Sequence, residues 1–180
     1  MHLTVLTAVL LSVGFLGVVT ARPDGDDEET RKFHRPKEDP MIASCSQVKD
    51  VPCGDGWSHI DDEYCVKYFE TPKSYDDAQK HCESLKSELV SIETPEESIN
   101  AICLTMRTNP EIRSVWIGIK RSGEQFQNAD GTEVYDEWFP GQPDNFGGKE
   151  DCVEMNHKEW GLLNDDNCSD ENAFMCAKKM

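Results

Sequence analysis

Apolar residues recur at helical spacing in a segment near the middle of the chain. Four of them lie three or four positions apart: Tyr75, Ala78, Cys82 and Leu85. This spacing places their side chains on one face of an α-helix. Ser74 precedes the segment and Asp77 follows three positions later, an arrangement similar to the capping box that begins many helices. The pattern therefore predicts an amphipathic helix that starts after Ser74.

A second helix is predicted a short distance further along the chain. Thr94 suits the N-cap, Pro95 the first helical position and Glu97 the third. The apolar face of this helix is predicted to consist of Ile99, Ile102, Cys103 and Met106. The dipeptide Asn109-Pro110 ends the helix, because the residue before a proline avoids helical backbone angles.

Short apolar runs bounded by turn residues predict strands. They cover residues 64–69, 115–119, 152–155 and 173–177. Asp130-Gly131 predicts a turn, and residues 139–149 are dense in Gly, Pro, Asn and Asp, which indicates a long irregular loop. Helices followed by short strands are typical of an α+β domain. A loop of this length without secondary structure of its own is usually functional or disordered.

Two segments precede the predicted domain. Residues 1–21 contain no charged residue, are mostly apolar and end on the small residues Val19-Thr20-Ala21, so we interpret them as a cleaved secretory signal peptide. An uncleaved membrane anchor is the alternative, and both place the rest of the chain outside the cytosol. Residues 22–44 are charged and poor in large apolar residues, which predicts an acidic, disordered leader or a propeptide. Residues 45–180 remain for the folded domain.

Cysteine content and charge narrow the class of protein. The eight cysteines all follow the signal segment, and an even number in an exported chain favours disulfide bonds. Their spacing alone leaves on the order of a hundred pairings open. Zinc is not favoured, because the sequence lacks the paired Cys or His spacing of zinc sites. The formal net charge of −17 makes nucleic acid and anionic membrane surfaces unfavourable partners.

Five side chains in and after the long loop offer oxygen atoms to a cation: Gln142, Asp144, Glu150, Asn164 and Asp165. Three of them are carboxylates, and calcium prefers such a set of hard oxygen ligands. The set contains no sulfur or imidazole donor, so it suits transition metals less well. The alternative is that these side chains only bond to nearby backbone, as polar residues in loops often do.

Several motifs, taken together and in order, resemble the long form of the C-type lectin-like domain over residues 53–176. The buried strand of that family is similar to Trp116-Ile117-Gly118-Ile119, and the approach to its calcium loop is similar to Asp130-Gly131, Tyr135, Trp138 and Gly141-Gln142-Pro143-Asp144-Asn145. The matching motifs end with Glu150-Asp151-Cys152-Val153 and with Asn164-Asp165 before Cys168. The resemblance implies an α+β fold of two helices, short antiparallel strands and a long calcium-binding loop, stapled by disulfides.

The resemblance also implies three disulfide bonds: Cys53–Cys65, Cys82–Cys176 and Cys152–Cys168. Cys45 and Cys103 remain, and we predict that they pair with each other and tie the leader to the second helix. The alternative is an intermolecular bond through Cys45, which would produce a covalent dimer.

In this family one Ca²⁺ binds the protein and two neighbouring sugar hydroxyls. The resemblance implies that the metal ligands are Gln142, Asp144, Glu150, Asn164 and Asp165, around a cis bond before Pro143. It implies that the sugar contacts are Gln142, Asp144, Phe146, Glu150 and Asn164. Gln-Pro-Asp goes with galactose-type sugars in the family, whereas Glu-Pro-Asn goes with mannose-type sugars. Because Lys120 and Arg121 stand where other members have acidic ligands, we expect an auxiliary calcium site to be absent or weak.

Calcium-dependent binding of a galactose-type glycan is therefore the predicted function, in a secreted protein. Recognition of glycans on cell or microbial surfaces, as in innate immunity, is a common role in the family. The alternative is a protein-binding module in which calcium only orders the loop. An enzyme is not predicted, because none of the five histidines has a nucleophile or acid partner visible in the sequence.

Overall fold

Both predicted helices begin at the predicted capping residues. The computed structural model describes residues 40–111 and 113–180, all within one compact unit. Helix α2, Tyr75–Ser84, starts where Ser74 Oγ accepts a hydrogen bond from the N–H of Asp77 (3.4 Å). Helix α3, Pro95–Thr108, starts where Thr94 Oγ1 accepts from the N–H of Glu97 (3.2 Å). These caps satisfy backbone donors that would otherwise lack a partner in the first helical turn.

One residue of each predicted apolar helix face is exposed in the structure. Leu85 is the C-cap of α2 and is 41% exposed, because the helix ends at Ser84 before the chain turns away. Ile99 is 39% exposed, since the buried face of α3 is centred on the stripe formed by Ser98, Ala101, Ile102 and Thr105. Leu85 and Ile99, which were predicted to share an apolar face with the other residues of each helix, therefore lie outside the core.

A third helix, which the sequence pattern did not predict, precedes the two others. Helix α1, Pro40–Cys45, occupies the last residues of the segment interpreted as a disordered leader. Met41 packs against the core, and Cys45 forms a disulfide bond with Cys103 of α3, so this short segment is held in place. The signal-peptide interpretation and the leader up to residue 39 lie outside the described residues.

The strands of the described chain form one sheet. Their bounds are β1 Pro52–Gly54, β2 Trp57–His59, β3 Tyr64–Lys73, β4 Glu88–Leu89, β5 Val115–Ser122, β6 Gln125–Asn128, β7 Glu150–Met155, β8 Leu163–Asn167 and β9 Asn172–Lys179. The order is β1-β2-β3-β9-β5-β7-β8, with β4 also paired to β9 and β6 to β5. All pairs are antiparallel except β5 with β9. The four predicted strands are present but longer, and the five short or polar ones were not predicted.

The core lies where the helices cover the middle of the sheet. Strand β5 is buried from Val115 to Ile119, and Trp116 packs edge-on against Tyr75 of α2. Gly118 lies at a close approach of two strands: its N–H donates to the carbonyl of Val90 (2.7 Å), and a Cβ atom here would lie 2.5 Å from the carbonyl oxygen of Leu89. The absence of a side chain at this position therefore allows β5 to pack against β4.

Four disulfide bonds use all eight cysteines: Cys45–Cys103, Cys53–Cys65, Cys82–Cys176 and Cys152–Cys168. These are the pairs that the resemblance implies, together with the pair that we predicted for the remaining cysteines. Cys45 is thus bonded within the chain and does not offer a thiol for a covalent dimer. The Cys152–Cys168 bond fastens β7 to the end of β8, next to the residues described below.

Candidate metal and ligand site

The connection between β6 and β7 carries two of the predicted metal ligands, Gln142 and Asp144, and ends at a third, Glu150, the first residue of β7. We refer to its residues 139–149 as the long loop. The N–H of Phe139 donates to the carbonyl of Leu163 (2.9 Å). This hydrogen bond attaches the start of the loop to β8, a strand at the edge of the sheet. The Gln142–Pro143 peptide bond is cis. A short 3-10 turn, Phe146–Gly148, then leads into β7.

Three of the five predicted ligands converge. Asp144 of the long loop, Glu150 at the start of β7 and Asp165 of β8 each offer a carboxylate oxygen, and these oxygens lie within 4.8 Å of one another. Asp144 is exposed, Glu150 is half-buried and Asp165 is buried. The carboxylate cluster is therefore exposed to solvent on the side of the long loop and buried on the side of the sheet.

Asp165 is the buried end of this cluster. Its relative exposure is 0%, and its two carboxylate oxygens accept hydrogen bonds from the backbone N–H groups of Asp144 and Asn145, each at 3.0 Å. It also forms an ion pair with Arg121, whose Nη2 lies 2.9 Å from Asp165 Oδ2. A carboxylate without water needs such partners, so the side chain of Asp165 is fixed by the loop and by β5 together.

Glu150 experiences the negative charge of its neighbours. Burial raises the pKa of the Glu150 carboxyl above its ordinary value, the charges of Asp165 and Asp144 raise this pKa further, and a hydrogen bond from the N–H of Phe146 acts in the opposite direction. Carboxylates that share a site disfavour each other's ionised form. A bound cation would relieve this repulsion, so the electrostatics of the cluster favour a positively charged ligand.

Gln142 and Phe146 flank the carboxylates on the open side. Gln142 Oε1 accepts a hydrogen bond from the N–H of Asp144 (3.0 Å), which places the amide beside the carboxylate cluster. Phe146 is 79% exposed, and its own N–H donates to Asp144 Oδ1 (3.2 Å). An aromatic ring is thus presented to solvent immediately next to the candidate ligands.

Asn164 differs from the other predicted ligands in its surroundings. It is buried, and its Nδ2 donates to Glu154 Oε1 of the neighbouring strand (3.1 Å). Glu154 also accepts hydrogen bonds from Asn172 Nδ2 (2.9 Å) and pairs with His157 Nδ1 (2.8 Å). The amide nitrogen of Asn164 therefore belongs to a buried network of polar side chains.

The sequence alone does not indicate how two charged residues, Glu154 and Arg121, surround the site. Glu154 stands in an otherwise apolar strand segment, and a charged residue there indicates a need for buried partners. From the sequence, Arg121 is expected only to disfavour a second calcium ion. In the structure it bonds to Asp165, to Asp151 (3.1 Å) and to the carbonyl of Glu150 (3.0 Å).

The donor set fits a hard divalent cation. Calcium–oxygen distances are about 2.3–2.6 Å, so two ligands on opposite sides of one ion are up to about 5 Å apart. The carboxylate oxygens of Asp144, Glu150 and Asp165 meet this requirement, since all lie within 4.8 Å of one another. Oxygen atoms from the exposed loop and from water would complete the six to eight ligands that calcium takes, by the general pattern of such sites.

A second cluster of metal-type residues does not offer the same chemistry. Cys53, His59 and Cys65 lie close together, but the two cysteines are joined in a disulfide bond. A thiolate is the sulfur form that binds metal ions, and a disulfide removes it. Of the two clusters found among the described residues, the carboxylate cluster is therefore the one suited to a cation.

The chain is similar to known lectins in sequence. A family profile described as "Lectin C-type domain" matches residues 71–178. C-type isolectin Sp-CL4 of Scorpaena plumieri is 48% identical over 134 residues, which cover 74% of this chain and 93% of that protein. An alpha-N-acetylgalactosamine-specific lectin of Patiria pectinifera is 36% identical over 124 residues, which cover 62% of this chain and 72% of that protein.

The fold is also similar to solved structures of this kind. The mouse scavenger receptor C-type lectin carbohydrate-recognition domain matches with a TM-score of 0.62 and 30% identity, covering 71% of this chain and 98% of that one. C-type lectin CEL-I of Cucumaria echinata matches with a TM-score of 0.65 and 26% identity, covering 71% and 97%. Herring type II antifreeze protein matches with a TM-score of 0.64 and 27% identity, covering 71% and 99%.

Proposed function

Because the chain belongs to the C-type lectin domain family, we propose that it binds carbohydrate through a calcium ion and prefers galactose-type sugars. Carbohydrate binding in general follows from the family, whose members are binding proteins without enzymatic activity. The dependence on calcium rests on one observation above all: the carboxylates of Asp144, Glu150 and Asp165 converge at the edge of the long loop.

In this proposal the three carboxylates hold the ion directly. Gln142 contributes its amide oxygen from beside Asp144, and Asn164 contributes its carbonyl oxygen while its amide nitrogen bonds to Glu154. The bound ion supplies coordination sites to which two neighbouring hydroxyls of a sugar attach. The protein's own oxygens and N–H groups then orient those hydroxyls by accepting and donating hydrogen bonds.

The preference for galactose-type sugars rests on the order of groups around Pro143. An amide at Gln142 before the proline and a carboxylate at Asp144 after it set which hydroxyl is offered a donor and which an acceptor. Galactose also has an apolar face of C–H groups, and the exposed ring of Phe146 offers a surface for that face. The specificity named for the Patiria pectinifera lectin agrees with this class of sugar.

We further propose that the protein acts outside the cell, on glycans of cell or microbial surfaces. Four disulfide bonds suit an oxidising compartment. The apolar segment 1–21 has the composition of a secretory signal peptide. Among the described residues, no helix is long and apolar enough to span a membrane.

Protein recognition is the second candidate, and the position of Asn164 favours it. A buried amide whose nitrogen bonds to Glu154 has less freedom to donate to a sugar hydroxyl than an exposed one. In this alternative, calcium would hold the long loop in shape and the ligand would be a protein surface.

The calcium site is tested by calorimetric titration of chelator-treated protein. Glu150→Gln keeps the size of the side chain but removes a charged ligand, so we expect calcium affinity to fall by about tenfold or more. Glu159→Gln removes the same charge from an exposed position and should leave the affinity unchanged. Wild-type protein that takes up no calcium, or equal affinities in all three proteins, would contradict the proposed site.

A further inference from the structure

Arg121 links strand β5 to the carboxylates of the site. Its guanidinium lies 2.9 Å from Asp165 Oδ2 and 3.1 Å from Asp151 Oδ1. Its Nη2 also donates to the carbonyl of Glu150 (3.0 Å), and its planar group stacks over the ring of Phe126, 4.4 Å from the ring centroid. The side chain is 21% exposed. These contacts occupy most of its N–H groups and leave few for water, so this guanidinium is fixed in position.

The partner of this guanidinium is the one carboxylate of the cluster that has no access to water. Asp165 is fully buried, and a buried charge without a partner is strongly unfavourable. The same carboxylate accepts the N–H groups of Asp144 and Asn145, which belong to the long loop. Arg121 therefore holds the acceptor to which the loop backbone is attached.

Lys120, the residue before Arg121, does not make the contacts that Arg121 makes. Lys120 stands next to Arg121 on the same strand and carries the same charge. Its amine lies 3.5 Å from the exposed Asp76 and over the ring of Tyr75, on the side of α2. Successive side chains of a strand point to opposite faces, so only Arg121 reaches the carboxylates of the site.

We propose that Arg121 is a positioning residue that serves as a tethered cation for the site. In calcium-free protein its guanidinium compensates the charge of Asp165 and thereby keeps Asp144 and Asn145 attached to β8. The inference deepens the proposed function, since the residues that Arg121 holds are those of the proposed calcium site. Its test is nevertheless made without calcium, so the two proposals fail separately.

The negative charges around the long loop explain why a fixed guanidinium stabilises this site. Asp144, Asp151, Glu150 and Asp165 are four carboxylates around one loop, and mutual repulsion would push the loop outward when no ion is bound. A guanidinium supplies a positive charge that does not dissociate, and its planar fork bonds two carboxylates at once. The loop would then be close to its ligand-binding shape before calcium arrives, which lowers the ordering cost of binding.

Amide hydrogen exchange of the full chain in chelator measures this role directly. In wild-type protein we expect the amides of Asp144 and Asn145 to be protected without calcium. Arg121→Gln removes the guanidinium, and we expect exchange at these two amides to accelerate by about tenfold or more, because their acceptor loses its partner. Lys120→Gln is the matched control and should exchange like the wild type. Arg121→Lys should be intermediate, since an ammonium does not form the planar fork.

Protection of the amides in β5, β7 and β9 reports whether each variant is folded. The inference is overturned when Arg121→Gln, with those strands protected, exchanges at Asp144 and Asn145 at the wild-type rate. It is also overturned when wild-type protein shows no protection at these amides in chelator. Calcium that restores protection in Arg121→Gln supports both proposals. An accelerated exchange that calcium does not reverse supports the role of Arg121 and counts against the calcium site.

Discussion

Among the single residues of the site, Asp165 has three structural roles. It is a buried carboxylate, an acceptor for two backbone N–H groups of the long loop and the partner of Arg121. In the proposed function it also holds the calcium ion. The long loop and β5 both bond to this one carboxylate, and they share its Oδ2 atom.

The next residue along β8 links stability to pH. Burial raises the pKa of Asp166 from 3.8 to about 6, the charges of Glu154 and Asp170 add to this, and hydrogen bonds from Asn167 and Asn172 act in the opposite direction. The folded protein therefore binds a proton more tightly than the unfolded chain does. Stability from this group is fully present below about pH 4 and is lost as the pH rises towards 6.

Asp166→Asn is accordingly expected to stabilise calcium-free protein at pH 7. The neutral amide removes an ionised group from half-buried surroundings, with a gain of about 1 kcal/mol after screening by solvent. Urea unfolding at pH 7 and at pH 4 measures the effect, which should vanish at the lower pH because Asp166 is then protonated in the folded state. A gain of equal size at both pH values would show that titration of Asp166 is not its cause.

The sequence alone predicts the three converging carboxylates but not the partners that hold them. Asp144 and Glu150 are close in the chain, so their proximity follows from the loop itself. Arg121 and Asp165 are 44 positions apart, and their contact depends on how β5, β7 and β8 are ordered in the sheet. Periodicity describes one element at a time and contains no information about that order.

At the scale of the elements, helix starts were predicted better than buried faces. Ser74 and Thr94 cap their helices through contacts within four residues, which local sequence determines. Whether Leu85 or Ile99 is buried depends on what the rest of the fold places against the helix. Short strands such as β4 and β6 were missed for the same reason, since they exist by pairing with β9 and β5.

The close approach of β5 to β4 provides a test at this scale. Gly118→Ala would place a methyl group 2.5 Å from the backbone oxygen of Leu89, so the strands must separate. We expect a loss of about 1–3 kcal/mol in the free energy of unfolding, as for overpacking elsewhere. Ser122→Ala, at an exposed position on the same strand, should change the free energy little. Chemical denaturation of both variants gives the comparison, and equal stability would show that the approach is not tight.

At the scale of the whole molecule, the disulfide pattern determines what the chain offers to a partner chain. All eight cysteines are paired within the chain. We therefore expect the protein to migrate as a monomer in non-reducing gel electrophoresis and to leave no thiol accessible to alkylation before reduction. A dimer that disappears on reduction would show that Cys45 pairs between chains after all.

Avidity in this protein must then arise without covalent dimers. In the proposed function a sugar is held by one ion and a few hydrogen bonds, so the affinity of one copy is low, and useful retention on a surface comes from several copies acting together. The strongly acidic chain, with a formal net charge of −17, disfavours self-association through charge alone. A dense display of sugar on a bead or cell provides the multiple attachment points that such a protein needs.

Retention of the full chain on sugar-coated beads tests the central claim most directly. The account predicts retention on galactose beads in calcium, release by chelator and little retention on mannose beads. It predicts that Gln142→Glu combined with Asp144→Asn shifts retention towards mannose, because the variant exchanges the donor and acceptor around Pro143. Retention on mannose by the wild type would contradict the proposed sugar class. A folded protein that neither bead retains would contradict sugar binding of either class and favour a protein ligand.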